Sequence, residues 1–195
     1  MSRGIIGVLL AAGAGRRFGS DKLLYQLPDG MPMAVAAAAH LLPACETVVA
    51  VLRPEQDSLA TQLASLGCEI VFSVESESGM GHSLAAGVRA MHDAAGWIVA
   101  LADMPFIATD SHRAIVSRLQ AGALLAAPKY QERRGHPVGF SSIWYPQLVT
   151  MTGDQGGKAI LEQHKQEIIL CPVDDPGVIW DIDRPEDLTQ RPALT

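Results

Sequence analysis

Leu9-Leu10-Ala11-Ala12-Gly13-Ala14-Gly15-Arg16-Arg17-Phe18-Gly19-Ser20-Asp21-Lys22-Leu23-Leu24 is the stretch on which the reading of this chain turns. It opens as the end of an apolar run from Gly4 to Leu10 and passes at once into a loop of small residues. Small side chains let a phosphate chain approach the backbone, whose N–H groups then face its oxygens. Arg16, Arg17 and Lys22 fall within seven positions of one another in the same loop. Arg16 offers a forked guanidinium and Lys22 a point charge. A basic, glycine-rich loop directly after a first strand reads as a triphosphate cradle. A turn carrying solvated basic residues is the plainer alternative, and the loop alone does not separate the two.

Two standard glycine motifs do not fit. Gly13, Gly15 and Gly19 are spaced G-x-G-x-x-x-G, close to the dinucleotide fingerprint. That fingerprint needs a helix starting inside the loop and an acidic residue about 20 positions on. Here Pro28-Asp29-Gly30 makes a turn where such a helix should be ending, and Arg16-Arg17-Phe18 is bulky where it must pack closely. The Walker pattern fails because Leu23, not Ser or Thr, follows Lys22.

Outward from the loop, apolar runs of strand length alternate with helical stretches, the pattern of a mostly parallel sheet with helices on both faces. Strands are expected at Ile5–Leu10, Thr47–Leu52, Glu69–Ser73, Trp97–Leu101, Ala123–Ala127, Pro137–Phe140 and Glu167–Val173. Helices are expected at Met33–Leu42, Glu55–Leu66, Ser83–Ala95, Asp110–Gln120 and Gly157–His164. Ser83 and Asp110 are candidate N-caps, and Gly67 and Gly122 stand where helices should stop. The expectation is α/β: a three-layer α/β/α domain with a Rossmann-like sheet, occupying 1–195 as one unit. In such an open sheet, ligands bind beyond the carboxyl ends of the strands, where the strand order reverses. The basic loop, Asp103 after the fourth strand and the segment leading into Ser83 all fall in that kind of position.

Composition narrows the partners. At 48% apolar and 18% charged, the chain supports a sizeable core and is not disordered. A net charge of −6 leaves no broad basic surface for nucleic acid, and small clusters such as Arg133-Arg134 suit a small anionic ligand. The three cysteines, Cys45, Cys68 and Cys171, lack C-x-x-C spacing and read as reduced residues of a cytoplasmic protein. Arg3, the apolar run and Ala11-Ala12-Gly13 imitate a signal peptide, but a run of about eight residues is short even for that. No stretch approaches membrane-spanning length.

The loop from Leu10 to Leu24 resembles the signature of the MobA-like nucleotidyltransferases, and is most similar to their molybdenum cofactor cytidylyltransferase branch. Four later segments match in order. They are Gly79-Met80-Gly81-His82-Ser83-Leu84, Leu101-Ala102-Asp103-Met104-Pro105-Phe106, Gly135-His136-Pro137-Val138-Gly139-Phe140 and Asp181-Ile182-Asp183-Arg184-Pro185-Glu186-Asp187-Leu188. Gly153-Asp154-x-Gly156-x-Lys158 is a further match, so the resemblance runs from Ile5 to Leu188. It implies a fold of the nucleotide-diphospho-sugar transferase type. It also implies a nucleotide site made by Leu10, Ala11, Ala12, Gly13, Gly15, Arg16, Lys22, Gly81, Ser83 and Asp103. Arg16, Lys22 and Asp103 are the catalytic candidates within that set.

On its own terms, Asp103 is either a turn aspartate or a strand-end carboxylate placed to hold a hard divalent cation. The resemblance makes it a Mg²⁺ ligand, with an acidic partner at Asp181 or Asp183. If Val178–Ile182 is extended, those two share a face while Ile182 points into the core. Asp183 is alternatively a cap for a short helix beginning at Pro185, with Glu186 and Asp187 as surface residues of its first turn. His136, Asp154 and Lys158 fall on the acceptor side by resemblance. A strand-end histidine and a capped helix start are the structural alternatives there.

The implied reaction transfers CMP from CTP to molybdopterin and releases pyrophosphate, with Mg²⁺ as cofactor and a molybdenum hydroxylase as recipient of the product. A phosphate acceptor is already ionised at neutral pH and needs no general base, so no nucleophile–His–acid triad is expected. GTP-dependent guanylyl transfer to molybdopterin is the nearest alternative. A NAD(P)H-dependent oxidoreductase, a description some proteins similar to this family carry, and a cofactor chaperone on the same fold are the others.

Overall fold

Alternating side-chain direction along β1 (Arg3–Leu10) and β2 (Thr47–Leu52) sets the layers of the molecule. Ile5 and Leu9 enter one apolar cluster with Val48, Ala50 and Leu52, while Ile6, Val8 and Leu10 enter another with Val49 and Val51. Both faces of these strands are therefore covered. The computed structural model describes residues 3–13, 22–154 and 156–188.

The first cluster is roofed by α1 (Met33–Leu41), α2 (Asp57–Leu66) and α4 (Thr109–Gln120), through Leu41, Leu59, Leu63 and Ile115 among others. The second is covered by α3 (Met80–Ala90), α5 (Tyr145–Leu148) and α6 (Lys158–Gln163), through Leu84, Val88, Leu148 and Ile160. Between the layers lie β3 (Glu69–Phe72), β4 (Ala94–Leu101), β5 (Leu125–Tyr130), β6 (Arg133–Arg134), β7 (Val138–Ser141) and β8 (Ile168–Pro172). The strand order is β3-β2-β1-β4-β7-β5, and both β6 and β8 add by pairing with β5. β1, β2, β3 and β4 are mutually parallel, as are β5 and β8, whereas β7 runs antiparallel to β4 and β5. The chain winds outward from β1 to β3 and then returns to lay β4 on the other side of β1, so the strand order reverses between β1 and β4.

Several sequence expectations shift. α3 begins at Met80, with Gly79 as its N-cap at φ 130°, so Ser83 lies inside the helix and caps nothing. α3 also ends at Ala90, because β4 needs residues from Ala94 onward to match β1 as far as Arg3. α4 starts at Thr109 with Ala108 as N-cap, which places Asp110 in its first turn. The fifth strand sits later than Ala123–Ala127, in a register that pairs Leu125 with Ile168. Val178–Ile182 is not extended throughout, since Pro176–Ile179 forms a 3-10 turn. Among the described residues no helix is long and apolar enough to cross a membrane.

His112, on the buried face of α4, is 2% exposed, and its Nδ1 has no hydrogen-bonding partner among the described residues. Burial, helped by nearby His40 and opposed by Asp175, lowers its pKa from 6.5 to about 4. The folded chain thus keeps His112 neutral while the unfolded chain protonates it below pH 6.5. That share of stability is present above pH 6.5 and is lost as pH falls towards 4. Urea denaturation of the His112→Gln variant across this window should show a flatter pH dependence than the parent, by up to ~1.4 kcal/mol per pH unit.

Candidate active site

Lys22 opens a 3-10 turn, Lys22–Leu24, that is anchored by buried Leu23. Its side chain is only 8% exposed, and its Nζ lies 2.9 Å from Asp103 Oδ2 and 2.9 Å from Asp183 Oδ1. Burial by itself would lower the pKa of this ammonium, but the pull of Asp103 and Asp183 outweighs it and holds the group above its usual value. Lys22 is therefore a fixed positive charge between two carboxylates.

Each carboxylate is delivered by a different element. Asp103 follows β4, and the Met104 N–H donates to the Leu101 carbonyl to turn the chain there. Asp183 is brought alongside by the Ile182 N–H, which donates to the Asp103 carbonyl at 2.9 Å, with the Ile182 side chain fully buried. The Asp187 carboxylate then accepts from the N–H groups of Asp183 at 2.8 Å and Arg184 at 2.7 Å. Asp187, expected as a surface residue, is half-buried and positions the Asp183 backbone.

Lys22, Asp103 and Asp183 border a cavity of about 740 Å³ beyond the carboxyl ends of β1, β2, β3 and β4, at the reversal of strand order. Leu10, Ala12 and Gly13 form its floor, and Ser83 and Asp154 face it from the α3 side. Asp154 arrives there because the loop at Thr152-Gly153 is clasped to the start of α3. The Gly81 N–H donates to the Gly153 carbonyl at 2.7 Å, and a Cβ on Gly81 would lie 2.6 Å from the Thr152 carbonyl oxygen. Gly81 thus makes the seam and is not itself part of the lining.

Other sequence candidates are placed differently. Ala11 is fully buried, its N–H donating to Val51 and its carbonyl accepting from Gln56. Asp181 is exposed and off the cavity wall, which separates it from Asp183. Lys158 is exposed at the first turn of α6, 3.7 Å from Glu162, and does not reach the cavity. His136 precedes a cis peptide bond to Pro137, and its N–H donates to the Val178 carbonyl at 2.8 Å. Burial lowers its pKa against the pull of Asp103, so its ring is neutral. Gly15 and Arg16 lie outside the described residues.

The lining also contains residues that sequence reading passed over, Arg53 after β2 and Ser76 and Glu77 after β3, beside Gly79 of the segment that leads into Ser83. Buried Gln56 holds this side in place. Its Oε1 accepts from the Arg53 N–H at 2.7 Å and its Nε2 donates to the Ala11 carbonyl at 3.1 Å.

No group of three or more His, Cys, Asp or Glu side chains among the described residues forms a complete metal cage. Two hard carboxylates on one ammonium are nonetheless a donor pair suited to a hard divalent cation that completes its shell with other oxygen ligands. Asp103 and Asp183 fit that role, because both already share one cationic partner.

Comparison with known proteins agrees with this architecture. Residues 7–168 match the model of the MobA-like NTP transferase domain. The chain is 32% identical over 193 residues to the nicotine blue oxidoreductase of Paenarthrobacter nicotinovorans, covering 94% of both chains. It is 32% identical over 146 residues to the molybdenum cofactor guanylyltransferase of Rhodobacter capsulatus, covering 72% of this chain and 68% of that one. In three dimensions it is similar to Rv0371c of Mycobacterium tuberculosis H37Rv, with a TM-score of 0.81, 24% identity and 97% of each chain covered. With most of its length matched and its charged cluster at the strand-order reversal of such a sheet, the chain belongs to the MobA-like NTP transferase family.

Proposed function

We propose that this chain is a Mg²⁺-dependent nucleotidyltransferase that transfers CMP from CTP to the terminal phosphate of molybdopterin and releases pyrophosphate. The observation that carries this reading is the Lys22 ammonium held 2.9 Å from both Asp103 and Asp183, beside a loop of small residues at the end of β1. The guanylyltransferase relative supports a molybdopterin-type acceptor. The choice of CTP over GTP rests on Ala11-Ala12-Gly13, where guanylyltransferases usually carry Ala-Gly-Gly.

In this mechanism the loop from Leu10 to Lys22, with Arg16 among its cations, takes the triphosphate. Lys22 neutralises the β- and γ-phosphates. Asp103 and Asp183 would hold Mg²⁺, which when bound supplies positive charge at the α-phosphate. An oxygen of the acceptor phosphate bonds to the α-phosphorus. The bond from that phosphorus to the bridging oxygen of the β-phosphate breaks, and pyrophosphate leaves with the electron pair. No side chain has to remove a proton, because the attacking oxygen is already ionised. The protein's share is alignment and charge.

The oxidoreductase relative favours a second reading, in which the same cavity holds a nicotinamide dinucleotide. Hydride transfer does not itself need a metal, so two carboxylates placed together with Lys22 weigh against it.

Pyrophosphate release should appear when the protein is given molybdopterin, Mg²⁺ and CTP, and should be slower with GTP or ATP. Consumption of NAD(P)H without pyrophosphate release would replace this reading with the second. Asp103→Asn should abolish turnover while leaving the circular dichroism spectrum unchanged; near-parental Mg²⁺-dependent turnover would remove Asp103 from the site. Lys22→Ala should weaken CTP binding by about 1.5–3 kcal/mol and CMP binding by less, as measured by titration calorimetry.

A further inference from the structure

Lys22 stands where a metal cation belongs. Its Nζ is 2.9 Å from Asp103 Oδ2 and 2.9 Å from Asp183 Oδ1, so each carboxylate already commits an oxygen to an ammonium. A magnesium–oxygen bond is about 2.1 Å long. A cation bound to either of those oxygens would lie no more than about 5 Å from Nζ, the sum of the two distances. Like charges that close repel strongly where the ammonium side chain is only 8% exposed. With Lys22 in place the three side chains carry one net negative charge; without it the two carboxylates would carry two. The ammonium thus lowers the pull of the pair on any second cation.

The ammonium has another place to go. Lys22, Asp103 and Asp183 all line the cavity, beside Leu10, Ala12 and Gly13. The Lys22 backbone is held by its 3-10 turn and by buried Leu23, but a lysine head rides on a flexible four-carbon stem. Rotation of that stem carries Nζ from the carboxylates to an anion in the cavity. The carboxylates stay behind, because the Ile182 N–H ties their segments together and Asp187 holds the Asp183 backbone. A polyphosphate is the anion that fits, since several charged oxygens in one chain compete well with carboxylates for an ammonium.

We propose that Lys22 is a placeholder, keeping divalent cations off Asp103 and Asp183 until a polyphosphate enters the cavity and takes over its ammonium. Loading is then coupled: the carboxylate pair opens to a cation as the phosphate site fills, and each ligand favours the other by the same factor. The inference rests on the nucleotidyltransferase reading and deepens it by naming what controls the cation site.

The test uses Mn²⁺ alone as the probe, its free signal followed by electron paramagnetic resonance, with circular dichroism checking the fold of each variant. The parent should bind Mn²⁺ about tenfold or more weakly than Lys22→Met does. Adding Asp103→Asn to Lys22→Met should abolish that gain, which locates it at these carboxylates. Equal Mn²⁺ affinity in the parent and folded Lys22→Met, or a gain that survives Asp103→Asn, would overturn the inference alone. A second measurement needs no variant. In the parent labelled with ¹⁵N-lysine, the Lys22 Nζ resonance should hold its position when Mg²⁺ is added and shift when inorganic tripolyphosphate is added with EDTA present. A shift with Mg²⁺ alone, or none with tripolyphosphate bound, would likewise overturn the inference alone. A parent that binds neither CTP nor tripolyphosphate in titration calorimetry, with or without Mg²⁺, would overturn the transferase reading beneath it.

Discussion

A buried ammonium shared by two carboxylates is the constraint around which the functional end of this molecule is organised. Lys22 stands 81 positions from Asp103 and 161 from Asp183, yet all three charges meet at 2.9 Å contacts. A lysine this enclosed stays charged because both partners are in place, and removing either would leave it poorly compensated. The run from Pro176 to Leu188 contributes little regular structure, but it makes sense as a brace for this meeting. Ile182 pins it to Asp103, Phe106 and Trp180 stack with ring centroids 4.6 Å apart, and Asp187 ties off its end.

The sheet supplies the rest of the geometry. Parallel pairing of β1 with β2 and β4 points three carboxyl ends the same way and opens a crevice where the winding reverses. The antiparallel β7 borders that half of the sheet and follows the half-buried His136, whose pKa burial holds below its usual value. The charged end of the cavity is thus built on strand termini, the sort of platform on which catalysis by positioning depends.

Much of this was legible in the residues. Thr47–Leu52 was bounded correctly because its unbroken apolar run, buried on both faces, leaves little choice, and the mostly parallel sheet followed from alternation of such runs with helices. Strand direction at β7 was not legible, since Val138–Ser141 would look the same running either way. The start of α3 was hidden because Gly79 and Gly81 discourage a helical reading, although Gly81 is there for close packing against Thr152. Lys22 could be named as a candidate from the charge of its loop, whereas Asp103 and one of Asp181 and Asp183 were named through the resemblance. The direct contact of Lys22 with Asp103 and Asp183 could not be named, because it depends on a backbone tether from Ile182. Arg53, Gln56 and Ser76 carry no motif at all; they become visible only when the ends of β2 and β3 stand side by side.

The seam between α3 and the Thr152-Gly153 loop has a mechanical meaning. Gly79 and Gly81 let two distant stretches of backbone touch, and a Cβ at either position would collide with the opposite strand of the seam. Neither stretch can shift without carrying the other, so Ser83 and Asp154 travel as one panel. A panel joined backbone to backbone cannot be reshaped one side chain at a time. Over evolutionary time, a change in what the cavity admits would arise more readily on the facing side, where Arg53 and Ser76 stand on separate strand ends and each can be exchanged alone.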